Sequence, residues 1–257
     1  MLELSVAQIS AWIGLIWWPF CRIMGLFVVM PMMSSKHILI RVKLLLSLTI
    51  AVIAAPLMPQ MPLVEAASVS AVLLSAEQVL LGVLMGFPLF LCLNILSVLG
   101  GILSMQMGLM MAIMNDPANG SSHALLGQWL ILYGTLLFIG MDGPNVALQS
   151  LVMSFHSWPV GKGIFDFPLY ELALQFSWLM AAALLTALPA VVAMLLVNLT
   201  FGVMNRAASS FNIFALGFPM AMLMGIGCLA LLQQLLPMRY GDLTVQALEM
   251  LHLSIHP

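Results

Sequence analysis

Residues 79–114 read VLLGVLMGFPLFLCLNILSVLGGILSMQMGLMMAIM, 36 consecutive positions without one charged side chain. As a straight helix this run measures about 54 Å at 1.5 Å per residue, against about 30 Å for the hydrocarbon core of a bilayer. The rest of the 257-residue chain has the same character, being 63% hydrophobic and 6% charged. A soluble domain carries about a quarter charged residues, and so few polar groups cannot cover a water-facing surface. The sequence therefore predicts an all-α integral membrane protein, with lipid as the solvent for most of its surface.

Working outward, further apolar runs of spanning length fall at residues 4–33, 44–64, 124–141, 172–204 and 207–238, with a shorter apolar stretch at 146–160. That makes about six long apolar helices, connected as hairpins. Several carry residues that weaken a helix interior: Gly86 and Pro88, Gly100 and Gly101, Pro189, and Gly217 and Pro219. Proline removes a hydrogen bond and glycine adds backbone entropy, so breaks are expected there. Broken helices survive in a membrane only where protein or a watery cavity satisfies the freed backbone groups, although transmembrane helices are in any case richer in Gly and Pro than soluble ones. No polar linker divides the chain, and residues 1–257 read as one membrane unit.

Lys36, Arg41 and Lys43 follow the first run and Arg206 separates the last two. Placed on the cytoplasmic side, they leave Glu65, Glu77, Asp142, Asp166 and Glu171 outside. Residues 241–257 form a mildly amphipathic tail suited to an interface or a partner. The net charge of −2 and the scattered Lys and Arg residues exclude nucleic-acid binding. Cys21, Cys92 and Cys228 stand singly in apolar runs, the pattern of packing residues. Glu3 stands where a cleaved signal would carry a basic region, so the N-terminal segment is expected to be retained.

Chemistry has few footholds. There is no HExxH, P-loop, GxSxG or GxGxxG behind a strand, so neither an enzyme nor a cofactor is expected. Of the five histidines only His252 and His256 lie one helical turn apart, too little for a metal site. Ionisable residues at membrane depth are the default functional candidates, at about 2.5–3.5 kcal/mol each on insertion scales. Arg22 lies within the first run, Asp116 follows the longest, and Arg206 interrupts the last pair; Arg22 also fits a side chain that simply snorkels. Residues 116–120, Asp-Pro-Ala-Asn-Gly, read as a turn. Among 23 methionines, Met105, Met107, Met110, Met111 and Met114 form a dense patch beside Gln106 and Gly108. Flexible thioethers suit a seal that repacks around changing shapes, and equally suit gap-filling between helices.

A sequence resemblance adds to this reading. Arg22-x-x-Gly25-x-Phe27-x-x-x-Pro31, Arg41-Val42-Lys43 and Ala55-Pro56 resemble the opening of the FliR family of flagellar export-gate proteins, related to SctT of injectisomes. Gly82-x-x-x-Gly86-Phe87, Gln106-Met107-Gly108, Asp116-Pro117, Gly127-Gln128, Leu137-Phe138 and Ser154-Phe155 are similar to its middle motifs. The strongest likeness is Asn198-x-x-x-Gly202-x-x-x-Arg206-Ala207-Ala208, followed by Asn212-x-Phe214-x-x-Gly217-Phe218-Pro219. Departures are Ser209 and Leu39-Ile40 where the family carries proline, and Asp142-Gly143 for its Asn-Gly turn.

The resemblance implies a non-enzymatic subunit of the flagellar type III export gate, in the bacterial inner membrane within the basal body. It implies assembly with FliP-like, FliQ-like and FlhB-like proteins, and passage of unfolded flagellar export substrates. Its implied fold is a FliP-like part, about residues 1–171, fused to a FliQ-like helical hairpin, about 172–240. Residues 106–122 then correspond to a plug loop, which casts Met105, Gln106, Met107, Gly108, Met110, Met111, Met114, Asp116 and Pro117 as pore-gating residues. Arg22, Arg206 and Asn212 become buried-charge or assembly positions. Two other readings stay open: the equivalent injectisome subunit, and a small-solute secondary transporter, which would show inverted repeats and a midplane pocket.

Overall fold

A backbone surrounded by lipid must satisfy its own N–H and C=O groups, and a chain without strand-type alternation does so as helix. The computed structural model describes residues 6–30, 33, 38–59, 61–62, 64, 68–109, 125–164, 167–207 and 213–255. Among them the secondary structure is helical, with no strand. The α-helices described are α1 (Val6–Val29), α2 (Ile40–Ala54), α3 (Val69–Gln106), α4 (Leu125–Gly140), α5 (Gly143–Ser157), α6 (Leu169–Ala207) and α7 (Ile213–Ile255).

Local chemistry sets the ends. The Ser68 hydroxyl accepts the Ala71 N–H at 3.2 Å and so caps α3. Helix α3 thus starts ten residues before the uncharged run, and Glu77, expected on the outer side, lies inside the helix. Helix α2 ends before Pro56 in a single 3-10 turn, Ala55–Leu57. The expected run to residue 64 is cut short because proline lacks the N–H that the next turn needs. Between α4 and α5, Asp142 takes a left-handed φ of 62°, and the Asn145 amide donates to its carboxylate at 2.6 Å. The apolar stretch at 146–160 is therefore α5, joined to α4 by this short break. Helix α7 runs on to Ile255, so residues 242–255 of the expected tail continue the same helix.

Among the described residues four helical stretches can cross a membrane by length and composition, Ile40–Leu57, Val69–Gln106, Leu169–Met204 and Gly217–Leu253, or five if α4 and α5 together count as one crossing. Helix α1, at 24 residues, also has the length of a span. The all-α membrane fold matches the sequence expectation, and the estimate of about six is close to this count.

The helices stay continuous where breaks were expected. Helix α3 passes through Pro88, α6 through Pro189, and α7 through Pro219 and Pro237. One lost hydrogen bond does not end a rod whose neighbours and solvent offer no better arrangement. Gly86 and Gly100 serve helix contact instead. A Cβ at Gly100 would run into the Gly127 backbone of α4, and one at Gly86 would press the Leu26 and Val29 side chains of α1 at 3.3 Å. Gly101 and Gly217 face open space.

The chain forms two compact units. The first comprises Met1–Leu91, Asp142–Gln175 and Val245–Pro257, the second Cys92–Met141 and Phe176–Thr244. The first buries Ile23, Leu26 and Phe27 of α1 with Leu151 and Phe155 of α5. It also holds a cluster of Leu81, Trp158, Phe167 and Leu172. The second buries Met107, Met194 and Ala221 together, packed by Leu109, Leu126 and Cys228. In the isolated chain only 22–28% of the spanning stretches of α2, α6 and α7 is buried, against 61% for α3. Three of four spans thus leave most of their apolar surface for lipid or other chains.

Candidate functional site

Two places gather the residues singled out in the sequence. In the first unit, Gly25 of α1 and Gly82 of α3 let the two backbones touch: a Cβ at Gly25 would meet the Val79 carbonyl, and one at Gly82 the Arg22 carbonyl. Close helix approach through small residues is the usual way membrane helices associate. It carries Arg22 fully inside, at 0% exposure. Arg22 Nε donates to Gln78 Oε1 at 2.9 Å, and Nη1 to Ser154 Oγ at 2.9 Å. Nη2 donates to the same Gln78 oxygen and to the Trp158 carbonyl, the latter at 3.0 Å. The guanidinium also lies 3.9 Å from the centre of the Phe155 ring, within cation–π range. Among the described residues every hydrogen-bonding partner is neutral, and Arg22 ties α1, α3 and the end of α5 together.

In the second unit, α3 ends at the methionine patch. The Leu109 N–H bonds the Ser104 carbonyl at 2.9 Å and the Gly108 N–H bonds the Met105 carbonyl at 3.1 Å, the two bonds of a Schellman cap. Such a cap needs a left-handed residue after the helix, and Gly108 supplies it with φ of 73°. The turn leaves Met105 exposed and buries Met107. The Met107 side chain occupies the space a Cβ at Gly225 of α7 would need, and the Phe218 ring covers Gly108, 3.2 Å from where a Cβ would stand. Asn198 Nδ2 of α6 donates to Gln106 Oε1 at 3.4 Å. Around these groups lies a cavity of about 370 Å³, lined on α3 by Met105, Gln106, Met107 and Gly108, on α6 by Asn198, Phe201 and Gly202, and on α7 by Gly217, Phe218 and Ala221.

Motifs about 90 residues apart in the chain thus face one cavity, which the sequence alone did not reveal. Met105, Gln106, Met107, Gly108 and Gly217 belong to it. Met110, Met111, Met114, Asp116, Pro117 and Asn212 lie outside the described residues. Arg206 sits exposed in the last turn of α6, where a cation complements the helix dipole. Gln78, Ser154 and Trp158 around Arg22, and Asn198, Phe201 and Phe218 around the cavity, carried no assigned role in the sequence reading. The signal for Gln78 was a pair of polar residues, Glu77-Gln78, opening an apolar run.

The cavity offers thioethers, aromatic faces and two amides. Among the described residues no group of three His, Cys, Asp or Glu is placed to hold a metal ion.

Residues 13–247 match the family described as bacterial export proteins, family 1, a stretch that includes both the Arg22 cluster and the cavity. The chain is similar to the flagellar biosynthetic protein FliR of Escherichia coli (strain K12), 31% identical over 237 residues that cover 92% of this chain and 90% of that protein. It is also similar to FliR of Pectobacterium carotovorum subsp. carotovorum, 31% identical over 238 residues, 92% and 91% of the two chains. The Yop proteins translocation protein T of Yersinia pestis is 30% identical over 210 residues, 77% of each chain. With both constellations inside the matched region, the chain belongs to the bacterial export proteins, family 1.

Proposed function

We propose that this chain is a non-enzymatic subunit of the flagellar type III export gate, seated in the bacterial inner membrane and forming part of the channel for unfolded flagellar proteins. Family membership and the FliR relatives support the export role. The apolar faces that α2, α6 and α7 leave uncovered support assembly with FliP-like, FliQ-like and FlhB-like partners. The FliP-like part is assigned to about residues 1–171 and the FliQ-like hairpin to about 172–240.

One observation carries the gating role: Met105, Gln106, Met107 and Gly108 share a cavity with Asn198, Phe201 and Phe218 at the point where α3 ends. An export channel must accept any sequence in extended form. Asn and Gln each present a donor and an acceptor, so they can bond a backbone whatever its side chains. Methionine and phenylalanine around them adapt to whatever side chains follow. The segment from Met105 to Pro117, with Met110, Met111, Met114 and Asp116, then closes the resting pore against ions.

The test uses the assembled gate in cells. A photo-crosslinking residue in place of Met105 should capture a flagellar substrate stalled during export, whereas one in place of exposed Leu185 of α6 should not. Deleting residues 106–122 should let small ions leak through the assembled gate. Intact impermeability after the deletion, together with no capture at position 105, would remove this region from the path.

A further inference from the structure

We infer that the α1/α2 pair holds one anionic phospholipid, with an acyl chain in the groove between the helices and the phosphate at Arg41. The groove is lined by Ile16, Trp17 and Phe20 of α1 and by Leu44, Leu45 and Leu48 of α2, with a volume of about 480 Å³ and almost no polar surface. The lining runs over four residues of rise on each helix, about 6 Å, so the groove seats one segment of an acyl chain against apolar walls.

The α2 wall continues directly into a cation. Arg41, Leu44, Leu45 and Leu48 fall at i, i+3, i+4 and i+7, the spacing of a single helix face. Side chains on a helix lean towards its N-terminus, which carries the Arg41 guanidinium beyond the apolar wall at the first turn of α2. Arg41 is exposed, and among the described residues no carboxylate pairs with it. The other wall is held in place before any ligand arrives. Trp17 Nε1 donates to Ser75 Oγ at 2.9 Å, and the Trp17 and Phe20 rings lie 5.7 Å apart. An aromatic side chain with an anchored indole and a nearby basic residue is the combination found at membrane interfaces. An apolar helix from a partner would also fill the groove, but it would leave Arg41 without an anion. A phosphodiester bearing two acyl chains satisfies both halves.

The full-length chain, purified in mild detergent alone and with its export partners, is equilibrated with equimolar phosphatidylglycerol and phosphatidylcholine of equal chain length. Bound lipid is counted by native mass spectrometry. The wild-type chain should retain one phosphatidylglycerol in preference to phosphatidylcholine. Arg41→Gln should reduce that preference about fivefold, the effect of one basic residue near an anionic surface. Lys43→Gln, two positions on and off the groove face, should change it less than twofold. Leu45→Trp should fill the groove and abolish retention of both lipids, with protection of the Cys21 thiol showing that the fold is intact. Equal retention of the two lipids, equal effects of the Arg41 and Lys43 variants, or unchanged retention in Leu45→Trp would each overturn the inference. So would a cysteine at position 45 that crosslinks to a partner helix in the assembled gate.

Discussion

Arg22→Ala deletes a side chain that is wholly buried and makes four hydrogen bonds, and the loss can be worked out from what remains. Ser154 Oγ still donates to the Leu151 carbonyl, so it keeps a partner. Gln78 Oε1 and the Trp158 carbonyl lose their donors from Arg22. Each orphaned buried acceptor costs about 1–3 kcal/mol, and the contact with the Phe155 ring contributes about 0.5–2 kcal/mol more. Against this, the buried guanidinium no longer has to be kept out of water, a gain of several kcal/mol in principle. With two acceptors orphaned and a cavity left where the side chain packed, the net effect is a destabilisation of about 3 kcal/mol or more. The assay is thermal unfolding of the purified protein followed with a thiol-reactive fluorophore, because Cys21 and Cys92 are buried and free and react on unfolding. The midpoint should fall by at least about 6 °C, taking about 2 °C per kcal/mol for a chain of this size. The double variant Arg22→Met with Gln78→Leu removes donor and principal acceptor together and should recover half the loss or more. An Arg22→Ala midpoint unchanged within 1 °C, or a double variant no better than the sum of its parts, would refute the account of Arg22 as the tie between α1, α3 and α5.

Three further outcomes follow from the backbone. Gly101→Ala should stabilise by about 0.5–1 kcal/mol, since Gly101 faces open space inside a helix, whereas Gly100→Ala should destabilise because its Cβ meets the Gly127 backbone; the same thermal assay separates the two. Gly108→Val should lower flagellar export strongly, because a left-handed φ of 73° disfavours any side chain by about 1–2 kcal/mol and the Phe218 ring blocks the space; export undiminished in a motility and secretion assay would count against the cap. Asp142→Ala should cost about 1–2 kcal/mol through its left-handed φ, while Asp142→Gly should restore most of that loss, measured again by thiol exposure on heating.

The sequence by itself determined the solvent and the class of fold. A chain with 6% charged residues and an uncharged run of 36 admits helices in a membrane and little else, because no other open structure satisfies its backbone there. Ordered motifs from Arg22 to Pro219 also carried the family. The glycines were harder to read. Gly86 and Gly100 looked like weak points, yet α3 passes through both, and their missing side chains serve contacts with α1 and α4. Glycine weakens an isolated helix and tightens a packed pair, and which effect matters depends on a neighbour that local sequence does not name. Arg22 was legible as an anomaly, but its neutral partners at positions 78, 154 and 158 came from elements 56 to 136 residues away. The cavity at Gln106 likewise required α6 and α7 to return to the end of α3. Periodicity and composition are local sums that a chain carries along its length. Which distant groups share a buried space is decided only when the helices pack.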